Sequence, residues 1–167
     1  MKTFDPIRAT KQIPFLSLRR RALDLLLTIS IPFNRWLGLR IAELSPERVE
    51  VLSPDRRLRR NHVGGAHACA LALMGEYAAG LLVAQQFPLS QYRMIIGGLN
   101  IEYVKQGRGS LKAVANAPEA WPELDRDGQA WVEMKTRIST SEDALVATCT
   151  TRWQVKEWSK VRSKVTA

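Results

Sequence analysis

Apolar positions along the chain change period twice, and the changes divide it into three stretches. From Leu18 to Ser30, Leu18, Ala22, Leu25, Leu26 and Ile29 recur at helical spacing, while Arg19, Arg20, Arg21 and Asp24 take much of the other side. That pattern predicts an amphipathic helix packed through its apolar line. Pro32 ends it, because the residue before a proline is pushed out of the α region. Residues 1–17 read as an irregular arm closed by Pro14. Two short strands follow, Arg40 to Glu43 and Arg48 to Leu52, joined by Ser45-Pro46-Glu47; Arg48-Val49-Glu50-Val51 alternates as a half-buried strand does.

A charged loop from Pro54 to Arg60 and a glycine turn lead into a second helix, from about Ala66 to Ala84. Ala66, Ala70, Leu73, Tyr77 and Leu81 form one apolar line, but the other faces are mostly Ala, Leu, Met and Val as well. Such a helix is wrapped on nearly all sides. The region from Ala66 to Phe87 contains His67, Glu76 and two glutamines, so it reads as a buried helix and no transmembrane segment is expected. Gly75 and Gly80 predict close approach of a neighbour. After Pro88 the texture changes: Tyr92–Val104, Gly109–Asn116, Gln129–Ser139 and Leu145–Gln154 have strand character. Gly97-Gly98 marks a bulge or a close backbone approach, and Trp121 is placed to cap the core from a loop.

Five or six strands and one buried helix imply an α+β domain. The expectation is a curved antiparallel sheet wrapped around the long central helix, with an extra N-terminal helix. The chain divides into an arm and helix (1–34), the main domain (35–155) and a basic tail (156–167). Sheet edges left free by such a wrap invite a second copy, so a homodimer is expected, with a dimer of dimers as an extension.

Composition narrows the picture. At 167 residues with 46% hydrophobic content and five tryptophans, the chain is one domain with a real core, and disorder is excluded. Its net charge of +9 leaves three partner classes open: nucleic acid, a membrane surface touched peripherally by the N-terminal segment, or a phosphate-bearing small substrate. Nucleic acid is disfavoured, because the basic residues are spread from Arg8 to Lys164 without a recognised binding motif. No signal peptide is expected, since Asp24 and Pro32 interrupt the stretch Leu23–Phe33. Cys69 and Cys149 read as small buried hydrophobes of a reducing compartment, which points to the cytoplasm. Neither has a partner at metal-ligand spacing, so no metal and no cofactor are expected.

Candidate chemistry gathers at Asn61-His62-Val63-Gly64-Gly65-Ala66-His67, which holds both histidines of the chain at a glycine-punctuated helix start. The orphan amides of a helix N-terminus, with an asparagine and a histidine beside them, suit a site that grips an oxygen. Glu76 lies further along the same apolar helix. A buried carboxylate costs several kcal/mol unless it is paired, and desolvation raises its pKa, as a general base requires. The alternative is a structural acid tying the helix to a strand or a partner subunit. His67 either braces the loop backbone or touches substrate, Asn61 either organises the turn or serves the site, and His62 lies beside the charged loop. The two histidines do not have zinc-helix spacing. His67 and Glu76 lie on opposite sides of the helix, about 13 Å apart along its axis. A compact site therefore requires Glu76 of one subunit to face the Gly64–Ala68 turn of its partner.

The element order resembles the hotdog fold, in which a sheet wraps a long helix. The pattern Asn61-x-x-Gly64-x-x-His67-Ala68, followed nine residues after the histidine by Glu76, is similar to the signature of the DUF4442 group. That group is related to the acyl-CoA thioesterases of the phenylacetate type. Asn100-Ile101-Glu102-Tyr103 leading to Gly107 is a second point of resemblance, and together they cover residues 35–155. The resemblance implies a hydrolase acting on an acyl-CoA or acyl-carrier thioester. Asn61 would place the loop or a water, amides near Gly65 to Ala68 would polarise the carbonyl, and Glu76 would be the general base or nucleophile. Gly64 and Gly65 would frame the substrate, whose phosphates would meet Arg59 and Arg60, beside Arg56 and Arg57, with Lys105 and Arg108. The alternative for these cations is a solvated basic face. Two departures stand out: Ala68-Cys69 replaces the glycine pair of better-characterised relatives, and Gly80 stands where a supporting hydroxyl is usual. The competing reading is a non-catalytic hotdog domain that binds an acyl ligand or serves as an oligomeric module.

Overall fold

In the computed structural model, which describes residues 4–161, the elements run α1 (Pro6–Thr10), α2 (Leu16–Ser30), a 3-10 turn (Pro32–Trp36), β1 (Arg40–Leu44), β2 (Arg48–Ser53), α3 (Ala68–Gln86), β3 (Tyr92–Tyr103), β4 (Leu111–Asn116), β5 (Gln129–Thr140) and β6 (Leu145–Glu157). All six strands join one antiparallel sheet in the order β1-β2-β4-β5-β6-β3. The arm expected to be irregular contains α1, started by Asp5, whose carboxylate accepts the Arg8 N–H. Of the basic tail, residues up to Val161 are described: β6 runs on to Glu157 and a 3-10 turn covers Trp158–Lys160.

The expectation of a sheet wrapped around α3 is overturned. The sheet is open, and its outer strands β1 and β3 do not meet. Helix α3 lies across one face of β2, β4, β5 and β6. The cover that its all-round apolar sequence demands comes on the far side from the N-terminal layer, where Ile7, Leu23 and Leu27 join the same core as Tyr77 and Leu81. A second layer of helices does the work that had been assigned to sheet curvature. Helix α3 is long and apolar enough to cross a membrane, but most of it is buried in this core.

Close approach of helix and sheet depends on the two glycines that predicted it. A side chain at Gly75 would collide with Cys149 of β6, and the Thr136 hydroxyl of β5 donates to the Gly75 carbonyl at 3.1 Å. At Gly80, an added Cβ would stand 3.0 Å from the Trp153 ring. The Gly97-Gly98 pair is a bulge: the β3–β6 register shifts between Ile96 and Gly98, and Trp131 packs over Gly97. Trp121 packs edge-on against Phe87 at 6.0 Å, closing the core from its loop.

Helix α2 is turned the other way from its expected packing. Leu23 and Leu27 are buried, whereas Leu18, Leu25 and Ile29 are each more than half exposed. The reason lies in two of the charged residues read as the outward side. Asp24 accepts the Ile41 N–H of β1 at 3.0 Å, and Arg20 donates to the Ala42 carbonyl. Both groups serve the outer backbone edge of β1, and their positions fix which apolar stripe faces inward. Cys149 is buried as expected; Cys69, in the first turn of α3, is exposed.

Candidate active site

The turn before α3 is built by Asn61. Its Oδ1 accepts the N–H groups of Val63 and Gly65, both at 3.1 Å, and its own N–H donates to the Gly65 carbonyl at 2.7 Å. Gly64 sits inside this loop at φ +80°, a backbone state that favours glycine. Asn61 thus organises the turn, and Gly64 allows it.

His67 caps α3: its Nδ1 accepts the Cys69 N–H at 3.2 Å, a local side-chain cap. Long-range bonds take most of the remaining donors. The Ala66 N–H donates to Gly107 O at 2.7 Å, and the His67 N–H donates to Arg59 O at 2.8 Å. With Gly65 N held by Asn61, the donors from Gly65 to Ala68 reduce to one. Among the described residues no acceptor takes the Ala68 N–H, which opens on solvent at the first position of the helix. The Tyr103 hydroxyl of β3 donates to the Ala68 carbonyl at 3.2 Å, so the end of β3 lies against this helix start.

Glu76 lies two turns further along α3, half-buried. Among the described residues no donor or cation reaches its carboxylate, and burial pushes its pKa up to about 6. It lines two apolar hollows at once. One, of about 420 Å³, lies between the N-terminal layer and the core and is walled by Ile7, Leu27, Phe33, Tyr77, Met94 and Trp153. The other opens along β3 beside Leu73, Ile96 and Leu99. An unpaired carboxylate held off its ordinary pKa in an apolar hollow marks a site candidate. Gly80 borders the first hollow, and its missing side chain keeps the space between Glu76 and Trp153 open.

The basic residues divide. Arg59 is 1% exposed; its guanidinium donates to Ser53 O and Ser53 Oγ, reaches Asp55 and donates to the Gly109 carbonyl, clamping the end of β2 to the loop after β3. It faces the interior and not a ligand's phosphates. Arg60 pairs with Asp55 at 2.7 Å on the surface. Lys105 and Arg108 are exposed, and Arg108 reaches Val63 O at 3.4 Å, beside the Asn61 turn. His62 is exposed on the turn. The structure therefore gathers Asn61, Gly64, Gly65, His67, Ala68 and Arg108 at one end of α3 and leaves Glu76 two turns away. Sequence reasoning missed Tyr103 at the helix start. It also missed the N-terminal wall of the first hollow; the apolar residues of α1 and the Pro32–Trp36 turn were its only trace.

No curated protein matches the chain in sequence. Solved structures do match in fold. A Pseudomonas aeruginosa protein of unknown function, described as a "Probable Thioesterase", is 20% identical with a TM-score of 0.69, covering 86% of this chain and 97% of its own. A thioesterase from Haemophilus influenzae is 16% identical at TM-score 0.68, over 83% and 90% of the two chains. A substituted thioesterase from Pseudomonas aeruginosa is 18% identical at TM-score 0.69, over 88% and 97%. At these identities the likeness establishes the hotdog fold. Sequence establishes the family: the profile of a domain of unknown function, DUF4442, matches residues 19–155, and the chain belongs to that family.

Proposed function

We propose that the protein hydrolyses an acyl-CoA or acyl-carrier thioester, as a homodimer whose two sites each draw on both subunits. The observation that carries this reading is the unpaired Glu76 carboxylate at the meeting of two apolar hollows, with a pKa near its working range. In the proposed step Glu76 takes a proton from water, and the hydroxide adds to the thioester carbonyl. The Ala68 N–H of the other subunit receives the developing oxyanion. The tetrahedral intermediate then collapses, breaking the C–S bond, and the leaving thiolate takes up the proton. The acyl group occupies an apolar hollow beside Glu76. Lys105 and Arg108, the exposed cations at the Ala68 end, attract the phosphates of the carrier.

Two features support the shared site. Within one chain Glu76 and Ala68 are eight residues apart on one helix, about 12 Å along its axis, too far for one carbonyl. Strand β3 is twelve residues long, among the described residues is bonded only on its β6 side, and exposes Ile95, Ile96, Leu99 and Tyr103. A long bare edge with exposed apolar residues is a pairing surface, and it runs beside both Glu76 and the Ala68 turn.

The test is free-thiol release from short, medium, long and aromatic acyl-CoAs by the wild type and two variants. Glu76→Gln removes the base. Ala68→Pro replaces the amide hydrogen with a ring carbon at a backbone position that accepts it: the first helical position tolerates proline, and His67 already has the extended backbone that must precede one (φ −65°, ψ 142°). Each is expected to lower kcat by about 10²–10³-fold with the fold and dimer intact. Turnover unchanged in both variants would refute the mechanism. Binding of acyl-CoA without thiol release by the wild type would instead favour the non-catalytic reading.

A further inference from the structure

The outer surface of the N-terminal layer is made of the wrong residues for water. On α2, Leu18, Leu25 and Ile29 share the outward side and are each more than half exposed. The 3-10 turn that follows adds Phe33 and Trp36, at 74% and 63% exposure. Scattered apolar residues are ordinary on a surface, but a patch that continues along a whole helix and into the next turn is not.

The same layer is strongly basic. Residues 4–40 contain seven lysines and arginines against two aspartates. Four arginines, Arg21, Arg35, Arg40 and Arg56, line one depression between α2 and the start of β1, and among the described residues none of them has an ion-pair partner. Leu25 lines that depression too, so the apolar side of α2 and the arginine cluster meet there. The one acid in it, Asp24, is engaged with the Ile41 N–H of β1. Arg56 is held in place by packing across Gly38, where any side chain would collide with its guanidinium.

We propose that this face docks the protein peripherally on a bilayer surface containing anionic phospholipid. The apolar residues of α2 and the Pro32–Trp36 turn would sit at the level of the headgroups and upper acyl chains, and the arginines would meet lipid phosphates. Charge complementarity selects this occupant. A second copy meeting the face about a two-fold axis would bring two arginine clusters together. The outward side of a helix is also convex, which suits a deformable apolar layer better than a partner's groove. The proposal does not depend on the activity of the Glu76 site.

Flotation of the full chain with vesicles of phosphatidylcholine alone, and of phosphatidylcholine mixed with phosphatidylglycerol, tests it. The wild type is expected to float with the mixed vesicles, not with phosphatidylcholine alone, and to release as salt is raised. Leu25→Ser with Ile29→Ser, exposed positions that leave the core intact, should weaken partitioning about tenfold or more. Arg21→Gln with Arg35→Gln should weaken it about fivefold for each arginine removed; circular dichroism and thermal melting confirm that both variants fold. The proposal fails if the wild type does not float with phosphatidylglycerol, or if the serine variant floats as well as the wild type. It fails equally if poly-glutamate competes the protein off the vesicles by binding more tightly, which would identify an acidic protein partner. Self-association abolished by the serine substitutions would assign the face to a second copy and also overturn it.

Discussion

The two edges of the sheet are finished in opposite ways. At β1 the edge is five residues long, and α2 serves its outer backbone: Asp24 accepts from Ile41, and Arg20 donates to Ala42. At β3 the edge is twelve residues long, exposes Ile95, Ile96, Leu99 and Tyr103 alongside Asn100 and Glu102, and among the described residues nothing serves its outer backbone. An edge closed by side chains of the same molecule cannot template pairing, whereas a bare one can. The contrast ties β1 to the stability of the single chain, and it is the ground for proposing assembly through β3.

The largest expected effect comes from breaking the bare edge. Ile95→Lys places a charge on an exposed position of β3 that itself lines neither hollow beside Glu76, although Met94 and Ile96 on either side do. Sedimentation should show monomer, and kcat/KM should fall at least about a hundredfold, because the halves of the proposed site no longer meet. Full activity from a monomer would end the shared-site reading.

A smaller effect is expected from Glu76, which lies beside that edge. Its pKa is raised from 4.5 to about 6 by burial, so the folded protein holds the proton more tightly than the unfolded chain. That stabilisation is complete below pH 4.5 and is lost as the pH rises through about 6. At mildly alkaline pH, Glu76→Gln should therefore be more stable than the wild type by about 2 kcal/mol, a gain that thermal melts would show shrinking away in acid. In the wild type, kcat/KM should rise with pH along a limb centred near about 6. The smallest effect belongs to the closed edge. Asp24→Ala leaves the Ile41 N–H without its acceptor and should cost about 1 kcal/mol in urea unfolding, at the low end because burial already raises the Asp24 pKa. The oligomeric state should not change.

How far the sequence could be read follows from where each answer is stored. The Asn61–His67 turn, the interior character of α3 and the glycine contacts were legible, because each rests on residue type at short spacing. The choice of Ala68 as the free donor was not. It depends on which amides Asn61, Gly107 and Arg59 consume, and two of those acceptors are distant or across a loop. Helix α2 has two apolar stripes, both at helical period, and periodicity cannot rank them; contacts of Arg20 and Asp24 with a later strand do. Arg59 had the composition of a phosphate ligand but is buried by partners in β2 and in the loop at Gly109. The wrapped sheet was inferred from a helix that needed cover, and the sequence does not say which layer supplies it.

The wall of the hollow beneath the N-terminal layer is drawn from two parts of the chain. Pro6 and Ile7 of α1 stand in that wall, ahead of the part of the chain that the family profile matches, residues 19–155. Changes in the leading residues of the chain can therefore widen, shorten or reline the space beside Glu76 while the sheet, α3 and the Asn61 turn stay as they are. Only that end of the wall is free in this way, because the rest of it, from Leu27 to Trp153, belongs to the framework itself.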